Sequence, residues 1–138
     1  MTSRNIHVTD YDMERLQKLI EGTQHWNQKD REYLAHLEEE LERAVVVASN
    51  KMPPNVVTMN TQLQVRDLGS GQEMSVQLVF PSEADFEKGK ISILAPIGTA
   101  IIGYREGDIV EWKVPAGTRR LKIEKIVYQP EAAGDYHL

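Results

Sequence analysis

The spacing of apolar residues changes once along this chain, at Ser49-Asn50-Lys51-Met52-Pro53-Pro54-Asn55, and that change limits the fold more than any other feature. Upstream, apolar residues recur at helical intervals of three and four; downstream they alternate with the period of two that marks strands. Two consecutive prolines fix their own φ angles and push the residue before each of them out of the helical region, so no regular element continues through the joint. The expectation is a helical segment over residues 1–50 and a strand-rich segment over residues 51–138. At 138 residues this makes one compact domain with an appendage, or two very small domains.

In the front segment Thr9 or Asp10 caps a first helix, with Asp12 and Glu14 placed favourably in its first turn. Met13, Leu16 and Ile20 follow at helical spacing, and Gly22 offers a left-handed exit. A second helix starts between Asn27 and Asp30, with an apolar seam of Leu34, Leu37, Leu41, Ala44 and Ala48 at coiled-coil spacing. Glu38, Glu39, Glu40 and Glu42 fall mostly outside that seam and form a solvated face. At 1.5 Å per residue the helices are roughly 18 Å and 28 Å long. They form a short antiparallel hairpin that projects from the body, its tip being the connector Thr23 to Gln28. The tip carries His25, Trp26 and Asp30; Trp26 is either a contact anchor or a ring folded over the hairpin end.

In the back segment Val57, Met59, Thr61, Leu63 and Val65 alternate with polar residues, as do Met74, Val76, Leu78 and Phe80 after the turn at Asp67-Leu68-Gly69-Ser70-Gly71-Gln72. Ile91 and Ile93 give a third short strand, and Pro96 and Gly103 bound a helix whose Ile97, Ala100, Ile101 and Tyr104 face a sheet. Val110, Trp112 and Val114 precede a turn at Pro115-Ala116-Gly117-Thr118. The last strand changes phase between Leu121 and Ile123 on one side and Ile126 and Tyr128 on the other, which calls for a β-bulge near Glu124-Lys125. These elements predict an α+β chain: a helical hairpin, then an antiparallel sheet of about five strands with one helix on its concave face.

Composition narrows function mainly by exclusion. There are no cysteines, which rules out disulfides and thiolate metal sites, and the four histidines show no ligand spacing. Met1 to Val8 lacks the basic start and apolar core of a secretion signal, and no apolar run approaches a membrane span, so a cytoplasmic address without membrane contact is expected. The net charge of −5 is shared by both segments, with 7 basic and 10 acidic residues over 1–52. Neither segment is a basic module for duplex binding, and no sequence-specific nucleic-acid contact is expected. Lys113, Arg119, Arg120, Lys122 and Lys125 are the one basic cluster; alternating outward positions of a strand are ordinarily charged.

An ordered series of short motifs carries further information. Asp67-Leu68, Glu83-Ala84-Asp85, Gly89-x-Ile91-Ser92, Pro96-Ile97-Gly98, Ile101-Ile102-Gly103, Gly107-Asp108 and Pro115-x-Gly117 together resemble the C-terminal domain of the Gre-type transcript cleavage factors. The similarity runs over nearly all of residues 56–128. It implies an FKBP-like fold that docks on the rim of the secondary channel of RNA polymerase, with a coiled-coil hairpin directed into the channel. Carried over from the docking loop, the implied polymerase contacts are Asp85, Ser92, Pro96 and Ile97. The residues themselves equally allow a loop carboxylate, a strand-face hydroxyl, a helix start and a core side chain.

Two departures separate this chain from the cleavage factors. Those proteins carry two acidic residues, three apart, at the hairpin tip, where they help hold a magnesium ion. Here Thr23 to Lys29 contains no acid, and Asp30 and Glu32, two apart on a helix, point roughly 200° apart around its axis. The second departure is Ala95-Pro96 in place of Ser-Pro. Together with Met52-Pro53-x-x-Val56-Val57-Thr58-Met59-Asn60 and the ending Tyr128-Gln129-Pro130-Glu131-Ala132-Ala133-Gly134-Asp135-Tyr136, it makes the chain similar over its whole length to the Rnk family, the regulators of nucleoside diphosphate kinase. That resemblance implies a Gre-like, polymerase-binding regulator with a shortened coiled coil, no enzymatic activity, no cofactor and no metal, which competes with Gre-type factors. The alternatives are transcript cleavage through Asp30 and Glu32, prolyl isomerisation in an apolar pocket of Phe80, Phe86, Tyr104, Trp112 and Tyr128, and direct contact with a nucleoside diphosphate kinase.

Overall fold

The computed structural model describes residues 6–22, 28–114, 117–135 and 138. Strand β1 (His7–Thr9) leads directly into helix α1 (Asp10–Glu21). Thr9 is the cap: its hydroxyl accepts from the Asp12 N–H at 2.9 Å, while Asp10 and Asp12 face the positive end of the helix dipole. Gly22 closes the helix by donating to the Lys18 carbonyl at 3.1 Å, but with φ −82°. The left-handed exit expected there is not used, so this glycine is not demanded by the backbone.

Helix α2 (Gln28–Glu42) buries Leu34, Leu37 and Leu41, as the seam predicts. It ends earlier than its apolar spacing suggests. Val45, Val46 and Val47 form strand β2 (Val45–Val47), which lies parallel to β1 with Val46 opposite Val8. Three successive β-branched side chains lose rotamer freedom in a helix, and the Val45 N–H instead donates to Ile6 at 2.8 Å. Ala48 accordingly lies beyond the helix, at the start of a single 3₁₀ turn over Ser49–Lys51.

Strands β3 (Gln62–Asp67), β4 (Glu73–Val79) and β5 (Lys90–Ser92) follow, then helix α3 (Pro96–Ile101), strands β6 (Ile109–Val114) and β7 (Gly117–Tyr128), and helix α4 (Pro130–Ala133). The five strands form one sheet in the order β5-β4-β3-β7-β6. It is not wholly antiparallel: β5 pairs in parallel with β4, Leu78 opposite Ile91. A tight hairpin would force the opposite direction; here the intervening segment Phe80–Gly89 is long enough to carry the chain back to the start of the sheet edge.

The bulge expected in the last strand is present. Gln64 pairs with Lys125 and Val65 with Ile123, leaving Glu124 as the extra residue, and a second shift leaves out Val127. Strand β3 begins later than its alternation suggests. Residues Val56 to Thr61 are all buried, and Asn60 has φ 67°, so this stretch threads through the interior. Val57 exchanges backbone hydrogen bonds with Tyr104 and Gly103 at 2.9 and 2.8 Å.

One apolar core runs from the hairpin into the sheet, joining Leu16, Leu34, Leu37 and Leu41 to Leu63, Leu78, Ile101, Leu121 and Ile123. Helix α4 was not expected. The Gln129 side chain caps it by accepting from Ala132, and donates to the carbonyls of Pro53 and Val56 at 2.7 and 2.8 Å. The tail is thereby fastened to the joint between the two segments.

Candidate docking loop

The segment between β4 and α3 is built from backbone hydrogen bonds. Pro81 begins a 3₁₀ turn over Pro81–Glu83, and Asp85 then pairs with Lys90, each donating its N–H to the other's carbonyl at 2.9 Å. Between those two residues the chain makes a second 3₁₀ turn over Phe86–Lys88, closed by Gly89 at φ 74°. Gly89 is required twice over. Its φ is strained for any side chain, and a Cβ would lie 2.8 Å from the carbonyl oxygen of Ser75 on β4. A loop this tightly tied presents its side chains from a fixed backbone.

The four residues implicated in docking are placed differently. Among the described residues nothing hydrogen-bonds or ion-pairs with the Asp85 carboxylate, which does not cap the turn that follows it. Pro96 is exposed at the first position of α3. Ser92 is half-buried, its hydroxyl accepting from the Leu94 N–H at 3.1 Å. Ile97 is only 8% exposed and belongs to the core. Pro96 therefore faces solvent, Asp85 is half-buried with its carboxylate unengaged among the described residues, Ser92 is partly occupied within its own loop, and Ile97 is part of the core.

Phe86, which the docking resemblance does not single out, is 86% exposed at the apex of the loop. One signal for it existed in the sequence: a single aromatic residue within the charged run Glu83 to Lys90, outside any strand alternation. Of the hairpin-tip residues, His25 and Trp26 lie outside the described residues; Asp30 falls in the first turn of α2, but its side chain lies outside the description too.

A second polar cluster fastens the hairpin to the body. The buried Asp12 carboxylate accepts from the Met59 N–H at 3.0 Å and pairs with Arg15. Arg15 in turn donates to the Leu138 carbonyl at 2.6 Å and lies over the rings of Tyr11 and Phe80, 4.0 and 4.8 Å from their centres. Asn60 donates to the same carbonyl at 2.9 Å, and Thr58 donates to Glu131 at 2.6 Å. Burial pushes the Asp12 carboxyl up to about 6, against the opposing pull of the Met59 N–H and Arg15.

Three of the five basic residues of the cluster lie near carboxylates of the same chain, with their side chains still partly exposed. Arg119 pairs with Asp67 at 2.6 Å, Arg120 lies 3.9 Å from Glu111, and Lys122 lies 4.0 Å from Glu124. Asp67 is held below the usual carboxylate range, first by the Gly69 N–H and then by Ser70 and Arg119. Of the aromatic residues suggested for an isomerase pocket, Phe86 is too exposed to line one. The Tyr128 hydroxyl donates to Asp135 at 2.6 Å, while the side chain of Trp112 lies outside the described residues. Among the described residues no group of three His, Asp or Glu side chains could hold a metal ion, and no helix is long and apolar enough to cross a membrane.

Comparisons with known proteins agree with this organisation. Residues 52–128 match the family model described as the C-terminal part of the transcription elongation factors GreA/GreB, and residues 4–47 match the Rnk N-terminus. The chain is 35% identical to the regulator of nucleoside diphosphate kinase of Escherichia coli (strain K12), over the full length of both. It is 38% identical to the transcription elongation factor GreA of Pelobacter propionicus over 96 residues, 70% of this chain and 61% of that one. Among solved structures, a prokaryotic transcription elongation factor GreA/GreB from Nitrosomonas europaea superposes with a TM-score of 0.73 at 38% identity, covering 91% of this chain and all of the other.

Proposed function

Since this chain belongs to the Rnk family, the regulators of nucleoside diphosphate kinase with a GreA/GreB-type C-terminal part, we propose that it is a non-catalytic transcription regulator that binds RNA polymerase near the secondary channel. The observation that carries this reading is the loop between β4 and α3. It lies within the region matched to GreA/GreB, is braced by the Asp85–Lys90 pair and Gly89, and leaves Asp85 and Pro96 free to meet another surface. A carboxylate on a fixed loop can meet an Arg or Lys of a partner in charge-assisted geometry. The body is read as an FKBP-like grip over residues 51–138 and the hairpin over residues 1–50 as a short coiled coil that occupies the channel mouth. Its connector, Thr23 to Lys29, has no carboxylate to share with a magnesium ion. An effect on nucleoside diphosphate kinase then arises through transcription.

The test is co-purification with core RNA polymerase in competition with a Gre factor. The chain is expected to bind and to displace the Gre factor, since two proteins cannot share one rim site, and Asp85→Lys is expected to bind much more weakly while keeping its fold. Failure of the native chain to associate with polymerase would refute the proposal.

A further inference from the structure

Phe86 is 86% exposed on a turn closed by backbone hydrogen bonds, more than any other large apolar side chain among the described residues. Burying such a ring gains on the order of 2 kcal/mol, and a flexible loop would fold it back onto the protein surface. This loop cannot. Lys88 and Gly89 donate at 3.0 Å to the carbonyls of Asp85 and Phe86, Gly89 packs against the Ser75 carbonyl, and the Gly89 carbonyl accepts from the Gln77 N–H of β4 at 2.8 Å. The ring is held away from the core by the same bonds that shape the turn.

Its surroundings define what it suits. Glu83, Asp85 and Glu87 lie within three residues of Phe86, and among the described residues none of the three carboxylates makes an ion pair or a side-chain hydrogen bond. Lys88 is the exposed cation nearest in sequence and is likewise unpaired. An exposed aromatic ring on a hydrogen-bonded turn, flanked in sequence by unengaged carboxylates, complements an apolar socket rimmed by Lys or Arg. A central aromatic anchor inside a polar rim is how protein interfaces concentrate their affinity, and a pre-ordered anchor loses little entropy on docking.

We infer that Phe86 is the anchor of the docking loop: its ring inserts into an apolar, basic-rimmed socket on the partner protein, and Asp85 with its neighbouring carboxylates pairs with that rim. The inference rests on the proposal that RNA polymerase is the partner, and adds the residue and the chemistry through which it is gripped.

Titration of core polymerase with purified variants separates the two. Phe86→Ala is expected to weaken binding at least about tenfold, Phe86→Leu less, and both are expected to melt with the native chain because the ring contributes nothing to the core. Raising the salt concentration is expected to weaken the native chain and Phe86→Ala by a similar factor, because the carboxylates remain. If the native chain binds and Phe86→Ala binds within twofold of it, the anchor is disproved and polymerase docking stands. If the native chain does not bind at all, the docking proposal falls and the anchor with it.

Discussion

Asp12 is 1% exposed, and a carboxyl group so placed is stabilised in its neutral form. Its pKa is raised from 3.8 to about 6, so between those values the folded chain holds a proton that the unfolded chain has released. The contribution of this group to stability is therefore fully present below about pH 3.8 and is lost as pH rises through 6. Arg15, on the same helix, and Glu131, on α4, are the charged groups facing it, and they act in opposite directions. Replacement Asp12→Asn keeps an acceptor for the Met59 N–H and removes the titration. Urea midpoints measured at pH 4 and pH 7 are expected to show the native chain losing roughly 2–3 kcal/mol more than the variant over that interval. Equal losses in both would mean that Asp12 does not titrate in this range. Nothing in the sequence marked this residue except as a helix-start acid; its burial goes with the hydrogen bond from the Met59 N–H, which is remote in the chain.

At the scale of elements, the candidate docking loop depends on how closely α3 approaches β5. Gly98 sits in the second half of the first turn of α3, where a Cβ would collide with the Ser92 carbonyl oxygen and come 3.1 Å from the Ile93 Cα. Helix propensity alone favours alanine over glycine by about 1 kcal/mol. Steric overlap with backbone outweighs that, because neither Ser92 nor Ile93 can move without disturbing the pairing of β5 with β4. Gly98→Ala is accordingly expected to destabilise the protein by about 2–4 kcal/mol, read as a fall in melting temperature. A melting temperature equal to or above the native one would show that the helix can shift outward freely. The helix itself was legible from Pro96 and Gly103, and so was the bulge from the phase change after Ile123. The parallel direction of β5 was not, because alternation reports which face a strand buries and carries no sign for its direction. The end of α2 was misjudged for a related reason: Ala44 and Ala48 satisfy helical spacing, but the hydrogen bonds offered by Ile6 and β1 favour extended valines.

At the scale of the whole molecule, hairpin and sheet share one core and are tied again by Asp12, Arg15 and Asn60 at the Leu138 carbonyl and by Thr58 at Glu131. A hairpin so fastened cannot swing freely against the sheet, and an acid-free connector brings no metal ligands with it. In an assay of stalled elongation complexes the chain is therefore expected not to stimulate transcript cleavage, and Asp30→Ala is expected to behave as the native chain does. Cleavage that depends on Asp30 would reverse this reading. The candidate loop was legible in part: Pro96 is exposed and Asp85 half-buried, whereas Ile97 is interior and Phe86 stood out only once its exposure was known. By itself the sequence determined the change from helices to strands, the turns, the bulge and the kinship, because these depend on side-chain period and on the φ preferences of Pro and Gly. The tertiary structure alone decided the parallel edge strand, the buried Asp12 and the projecting Phe86, because direction, burial and exposure are set by which distant segments arrive beside a residue.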